Sequence, residues 1–186
     1  MKKTLLLAGA ALSIAITGST EASMYVEMSP YIGLDYSYSN LNMKHGMHKL
    51  IENDYNVFSA NAGFKVGGYV GLEGFIERAS IAKYRQANSK FSSNHWAAGA
   101  DLLGYLPISE DFELIGGIGF GEYKFFAKEV GRKTYKDAAH GVRFTGGIQF
   151  NLDENWGVRA AYRYVDFSSS DRNRSNEYTL GFRYNF

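Results

Sequence analysis

Residues 177–186 read EYTLGFRYNF. Tyr178, Leu180, Phe182, Tyr184 and Phe186 fall on every second position, with Glu177, Thr179, Gly181, Arg183 and Asn185 between them. A period of two places successive side chains on opposite faces of a strand. One face of this strand is aromatic and aliphatic, and the other carries charge.

The same alternation recurs upstream. Val158, Ala160, Tyr162 and Tyr164 oppose Gly157, Arg159, Ala161 and Arg163. Val142, Phe144, Ile148 and Phe150 oppose Arg143, Thr145, Gly147 and Gln149. Phe112, Leu114, Ile118 and Phe120 face away from Glu113, Gly117, Gly119 and Gly121. Trp96, Ala98, Ala100, Leu102 and Leu106 oppose Ala97, Gly99, Asp101 and Tyr105. Val70, Leu72, Gly74 and Ile76 oppose Gly71, Glu73, Phe75 and Glu77. Phe58, Ala60, Ala62, Phe64 and Val66 oppose Ser59, Asn61, Gly63 and Lys65, and Ile32, Leu34, Tyr36 and Tyr38 oppose Gly33, Asp35, Ser37 and Ser39. That predicts eight strands, each near the length that crosses a bilayer at a tilt.

The connections alternate in length. Short turns are expected at residues 67–68, 107–111 and 151–155, and longer polar loops at 40–54, 83–94, 128–139 and 168–176. Short turns on one side and long loops on the other is the layout of an outer-membrane barrel, with both mature termini on the periplasmic side. An Arg or Lys on the lipid face near the midplane costs roughly 2–4 kcal/mol. Facing Arg143, Arg159, Arg163 and Arg183 outward would therefore rival the ~5–15 kcal/mol total stability of a domain. The aromatic and aliphatic face is expected outside. Trp156, Tyr69, Phe112 and Phe150 flank the short turns as one interfacial girdle, and Trp96, Tyr55, Tyr164 and Tyr178 flank the long loops as the other.

Composition agrees. The chain has 186 residues, enough for one domain, with 16% aromatics, 21 Gly, 2 Pro and no Cys. The absence of cysteine excludes a disulfide framework and a thiolate metal site. A net charge of +1 argues against nucleic-acid binding. Mean hydropathy is −0.27, which hides membrane strands whose apolar residues alternate. The start resembles a secretory signal: Met1-Lys2-Lys3, then an apolar run over residues 5–16, then Gly18, Ser19 and Thr20. Thr20 and Ala22 give small residues at the −3 and −1 positions, so residues 1–22 are expected to be a cleaved signal peptide and 23–186 the barrel. The run is too short for a stable membrane anchor.

Three stretches carry a family resemblance: FELIGGIGFGEY at 112–123, RAAYRYVDF at 159–167 and EYTLGFRYNF at 177–186. With them the chain resembles the outer-membrane β-barrel domain family of small porin-like and opacity-like surface proteins, OmpX-like and OmpA-barrel-like in architecture. The resemblance implies an all-β fold, an eight-stranded antiparallel transmembrane up-and-down barrel, in the outer membrane of a Gram-negative bacterium with its loops extracellular. It also implies that Tyr178, Leu180, Phe182, Tyr184 and Phe186 form the C-terminal assembly signal read by the barrel-insertion machinery. No periplasmic domain is expected after Phe186.

An eight-stranded barrel is just wide enough for its side chains to fill the interior. Asp35, Glu73, Glu77, Asp101, Glu113 and Glu177 would share the lumen with Lys65, Arg143, Arg159, Arg163 and Arg183. Strands one and eight meet on closure, so Asp35 and Arg183 are candidate partners, and Glu113 and Arg143 lie on adjacent strands five and six. The expected result is a structural ion-pair plug, with a conducting pore as the alternative. Lys128, Arg132, Lys133 and Lys136 in the third long loop, with Arg172 and Arg174 in the fourth, are candidate contacts to lipopolysaccharide phosphates or acidic host glycans. Met43, His45, Met47 and His48 gather soft donors, but their spacing matches no defined metal site.

No cofactor is expected. His45, His48, His95 and His140 do not form the His-x-Ser pattern of lipid A deacylase barrels, so an enzyme is the weaker reading. Gly116 to Gly121 lies in a strand and opens no helix, so it is not a phosphate loop. The expected function is a monomeric outer-membrane barrel with a structural and surface role, adhesion through its loops being the specific candidate. A small-solute conduit is the alternative. A soluble lipocalin-like barrel would put its apolar face inward and leave the terminal strand unexplained.

Overall fold

A computed structural model describes residues 27–43, 54–86, 89–129, 135–168 and 172–186. The strands are β1 (Met28–Met43), β2 (Asp54–Val66), β3 (Val70–Ala79), β4 (Ala82–Gln86), β5 (Ser89–Pro107), β6 (Phe112–Glu129), β7 (Tyr135–Asn151), β8 (Trp156–Phe167) and β9 (Arg172–Asn185). Each pairs antiparallel with its neighbours in the order β3-β2-β1-β9-β8-β7-β6-β5-β4, and β3 also pairs with β5. β3 and β4 are one stave, interrupted at Ser80 and Ile81, so nine segments make a closed eight-stave antiparallel barrel.

The register gives the barrel its dimensions. From Val142 the paired residues run through Phe120, Ala100, Gly74, Ala62, Ile32, Tyr184 and Trp156. Since Gly157 faces Asn151, Trp156 lies level with position 152 of β7, ten residues from the starting point. A shear of ten over eight staves, with strands ~4.8 Å apart and ~3.3 Å per residue, sets a tilt of about 41° and a radius of about 8 Å. Each residue then climbs about 2.5 Å along the barrel axis.

The outward residues are apolar from the short-turn end upward, and each stave then meets a first polar residue. The switch falls at Asn40, Asn56, Arg78, Asn94, Glu122, His140, Asp166 and Asn176. On β6 the apolar run from Phe112 to Glu122 rises about 25 Å, the height of a lipid-facing band. Leu34, Phe58, Ile76, Phe120, Leu180 and Phe182 are all more than half exposed, which only a hydrocarbon surround explains. The lower girdle pairs Phe112 with Phe150 and Trp156 with Tyr184, ring centroids 4.6 and 5.0 Å apart.

The short turns have the expected chemistry. Gly67 and Gly68 take positive φ (59° and 77°) between β2 and β3, where a side chain would be strained. Asp153 Oδ1 accepts from the backbone N–H groups of Asn155 and Trp156, closing the β7–β8 turn.

Two of the expected loops are largely strand. Residues 83–94 pair across β4 and β5 out to Gln86 and Ser89, and β6 and β7 pair as far as Ala127 and Tyr135. Above the polar switch the outer face meets water, so the apolar outward residues that mark a strand in sequence stop while backbone pairing continues. Tyr55, expected in the upper girdle, points inward with 2% exposure, because it shares the parity of Val57, Ser59 and Asn61.

Candidate functional site

The lumen is filled by two layers. The lower layer is charged. Asp35 on β1 is its hub, accepting from both terminal nitrogens of Arg183 on β9 (2.6 and 3.2 Å), from Arg163 on β8 (2.8 Å) and from Asn61 on β2 (3.1 Å). Glu73 on β3 accepts from Arg159 (2.9 Å) and from the Tyr31 hydroxyl (3.0 Å). Arg159 also donates to the Tyr105 hydroxyl at 3.0 Å. At the short-turn end Lys65 donates to both oxygens of Glu113 (3.0 and 2.7 Å), and Gln149 donates to the same carboxylate (3.1 Å). At the top of the layer Arg143 makes a two-pronged pair with Asp101, reaches Glu77 at 3.4 Å and sets its guanidinium carbon 3.5 Å from the centre of the Phe75 ring.

Arg143, Arg159, Arg163 and Arg183 are at most 2% exposed. Guanidinium is the cation suited to such a place, since its planar fork satisfies several acceptors at once. Glu177 differs from the other carboxylates. It is 1% exposed, has one weak bond from the Ser39 hydroxyl (3.4 Å), and its Oε2 has no protein partner. Among the described residues, six lumen carboxylates face five cations, and Glu177 is the one without an ion pair.

The upper layer is apolar. Leu41, Tyr55, Val57, Ala97, Tyr123, Phe125, Ala139, Val165 and Phe167 form one cluster above the charged residues. Phe167 meets Tyr123 and Phe125 edge-on at 5.0 and 5.9 Å, and His95 packs against Tyr55 and Phe125, both at 5.2 Å. His95 therefore faces the lumen, 5% exposed.

Glu113 and Arg143, although on adjacent staves, do not meet. The β6–β7 register sets Glu113 opposite Gln149 and Arg143 opposite Gly119, six residues higher. Glu113 instead reaches across the lumen to Lys65. Tyr31, Asn61, Gln149 and Tyr105 complete the network, and each shares the parity of the charged set although none is charged.

Lys128, Lys136, Arg172 and Arg174 lie on strands rather than in loops, and Lys136 and Arg174 are exposed. Met43 ends β1. Arg132, Lys133, His45, Met47, His48 and residues 1–22 lie outside the described residues. Tyr178, Leu180, Phe182 and Phe186 point outward and exposed, with Tyr184 half-buried beside Trp156. Among the described residues no group of three or more His, Cys, Asp or Glu could hold a metal ion.

A closed antiparallel barrel with an apolar wall and a charged interior is a transmembrane β-barrel. The chain belongs to the outer membrane protein β-barrel domain family, whose model matches residues 4–186, and this places it in the outer membrane of a Gram-negative bacterium. Comparison with curated protein sequences finds no match. Among solved structures, Neisserial surface protein A superposes with a TM-score of 0.70 at 17% identity, over 86% of this chain and 99% of that one. Ail of Yersinia pestis, in complex with the heparin analogue sucrose octasulfate, superposes at 0.63 and 17% identity, over 86% and 99%. OprH of Pseudomonas aeruginosa in DHPC micelles gives 0.56 at 20% identity, over 85% and 99%. These likenesses are of fold.

Proposed function

We propose that the protein is a monomeric, non-conducting barrel whose long-loop end lies outside the cell and binds an acidic surface ligand. Export by the signal at residues 1–22, insertion through the Tyr178-to-Phe186 signal and periplasmic termini belong to the same reading. The observation that carries it is the double closure of the lumen. An ion that passed the Lys65–Glu113 pair would have to part Asp35 from two arginines, then displace Tyr123, Phe125 and Phe167. A tube closed in this way leaves its outer end as the working surface. Exposed Lys136 and Arg174 give that end positive charge, and Ail, of the same architecture, was solved with a polysulfated sugar.

The test joins planar-bilayer recording of the folded protein to heparin binding by proteoliposomes. Expected are no steady single-channel currents, and salt-sensitive binding that Lys136→Gln with Arg174→Gln weakens. Large steady currents or solute uptake would overturn the closed-lumen reading, and a changed lipid A mass spectrum on expression would favour an enzyme.

A further inference from the structure

The polar belt above the lipid-facing band is lopsided. On β8, β9, β1 and β2 exposed Asp54 and Asp166 offset Arg174, which lies opposite Asp166, and the belt's neutral groups bond one another: the Tyr162 hydroxyl donates to Asn176 (2.6 Å), that of Tyr36 to Asn56 (2.7 Å), and Asn40 to Asp54 (2.6 Å). On the opposite wall one row across the strands reads Arg78, Trp96, Lys124. Lys124 Nζ stands 4.7 Å from the Trp96 ring and 3.1 Å from Glu122, and Lys136 lies 6.0 Å from the Phe126 ring one row higher. Arg78 and Lys136 have no carboxylate partner among the described residues.

At this place the wall opens. The β3–β5 ladder stops at Arg78 opposite Trp96, the β4–β5 ladder resumes at Ala82 opposite Ser93, and Ser80 N–H donates to Asn56 O on the other side (2.7 Å). The break leaves a groove of about 500 Å³ lined by Arg78, Ile81, Ser92, Asn94, Trp96 and Phe126. Lower on the same wall, within the lipid-facing band, lies an apolar trough of about 390 Å³ between Leu72, Ala100, Leu102, Ile118, Phe120 and Val142. An apolar trough would suit any acyl chain. Under Arg78, the half-exposed Lys124, an indole face and the amide of Asn94, it suits an amphiphile with a phosphorylated sugar head.

We propose that this wall binds one phosphorylated glycolipid of the outer leaflet, of the lipid A class. Its phosphate is held between Arg78 and Lys124, its sugar lies on Trp96 and Asn94, and an acyl chain fills the trough. The site rests on the reading that the long-loop end faces outward.

The test uses the folded chain in phosphatidylcholine nanodiscs with Trp156→Phe, so that Trp96 is the remaining indole. Its emission is followed while lipid A is added, intact or with its phosphates removed, and native mass spectrometry counts bound lipid. Intact lipid A is expected to bind as a single copy and about tenfold tighter than the dephosphorylated form. Arg78→Gln with Lys124→Gln should abolish that preference. Ala100→Phe, which fills the trough, should weaken both forms alike, and Asn42→Ala on the far wall should change nothing. A gel shift between boiled and unboiled samples confirms that each variant is folded. Equal binding of dephosphorylated lipid A or phosphatidylglycerol would overturn the proposal, as would a Trp96 response to inorganic phosphate alone. Protease shaving of intact cells reads orientation separately. A long-loop end found in the periplasm would overturn the surface reading and, with it, an outer-leaflet lipid as the occupant, whereas loss of the nanodisc preference with that end outside would overturn the site alone.

Discussion

On β8, Arg159 and Arg163 face the lumen below Val165 and Phe167; on β3, Glu73 and Glu77 lie below Ala79; on β6, Glu113 lies far below Tyr123 and Phe125. The change from charge to hydrocarbon inside comes near the level where the outside turns from hydrocarbon to polar. Below it the barrel is apolar outside and mainly charged inside, with Phe75 and a Leu103–Tyr105–Ile115 cluster among the charges, and above it the order is reversed. The hydrophobic effect accounts for both halves. Where lipid surrounds the wall, an apolar side chain gains nothing by turning inward, and the lumen is where charge can be neutralised. Where water surrounds the wall, apolar side chains gain by going in, as in any soluble protein. The two halves also close differently. The charged layer makes directional links between staves that are not neighbours, such as Asp35 to Arg163 and Arg143 to Glu77. The aromatic layer makes mostly undirected ring contacts, with hydroxyl pairs such as Tyr55–Ser93 (2.8 Å) at its edge.

The largest effect is expected from Arg143→Met, which leaves Asp101 and Glu77 buried without their shared cation. Removing one partner of a buried pair costs about 3–5 kcal/mol. Urea unfolding in lipid vesicles, followed by tryptophan emission, should show that loss. A change under about 1 kcal/mol would mean that the charged layer fills the lumen without bracing it. Phe167→Ala in the upper layer should cost about 3 kcal/mol, at the low end for a buried Phe because the rim can relax. Its cost should not vary with salt. If it exceeds that of Arg143→Met, the ranking of the two layers is reversed. The smallest effect, and the only gain, is expected from Glu177→Gln, which keeps the shape and removes the carboxylate without an ion pair. Stability should rise by up to about 1 kcal/mol. A comparable loss would show that Glu177 is paired with Arg163, which the β8–β9 register places opposite it.

The lower half was far more legible in sequence than the upper. Period two is visible wherever one face meets lipid, so the sides taken by Arg143, Arg159, Arg163 and Arg183 followed from where apolar residues recur. Past Arg78 and Asn94 the contrast between faces fades, and the paired continuations of β4 and β5 read as loop. Asp35 and Arg183 were readable as partners because closure makes first and last strands neighbours. The link from Lys65 to Glu113 was not, since it spans the lumen between staves that share no ladder. An aromatic near a strand end suits either a girdle or a plug, and for Tyr55 only parity separates the two. The groove beside Trp96 depends on the break at Ser80 and Ile81, which no composition signal marks.

The seam between β1 and β9 sets a condition on how the molecule is made. Asp35 and Arg183 are 148 residues apart in the chain, and their pairing joins the first strand to the last. No partial chain has both sides of that seam, so the tube cannot shut while it is being synthesised. Contacts of such long range are also slow to form, because a large loop must close before they contribute. The polypeptide must therefore arrive at its membrane whole and still open, with its aromatic strands kept from pairing with one another in transit. Its demand on the cell is greatest before it has any structure.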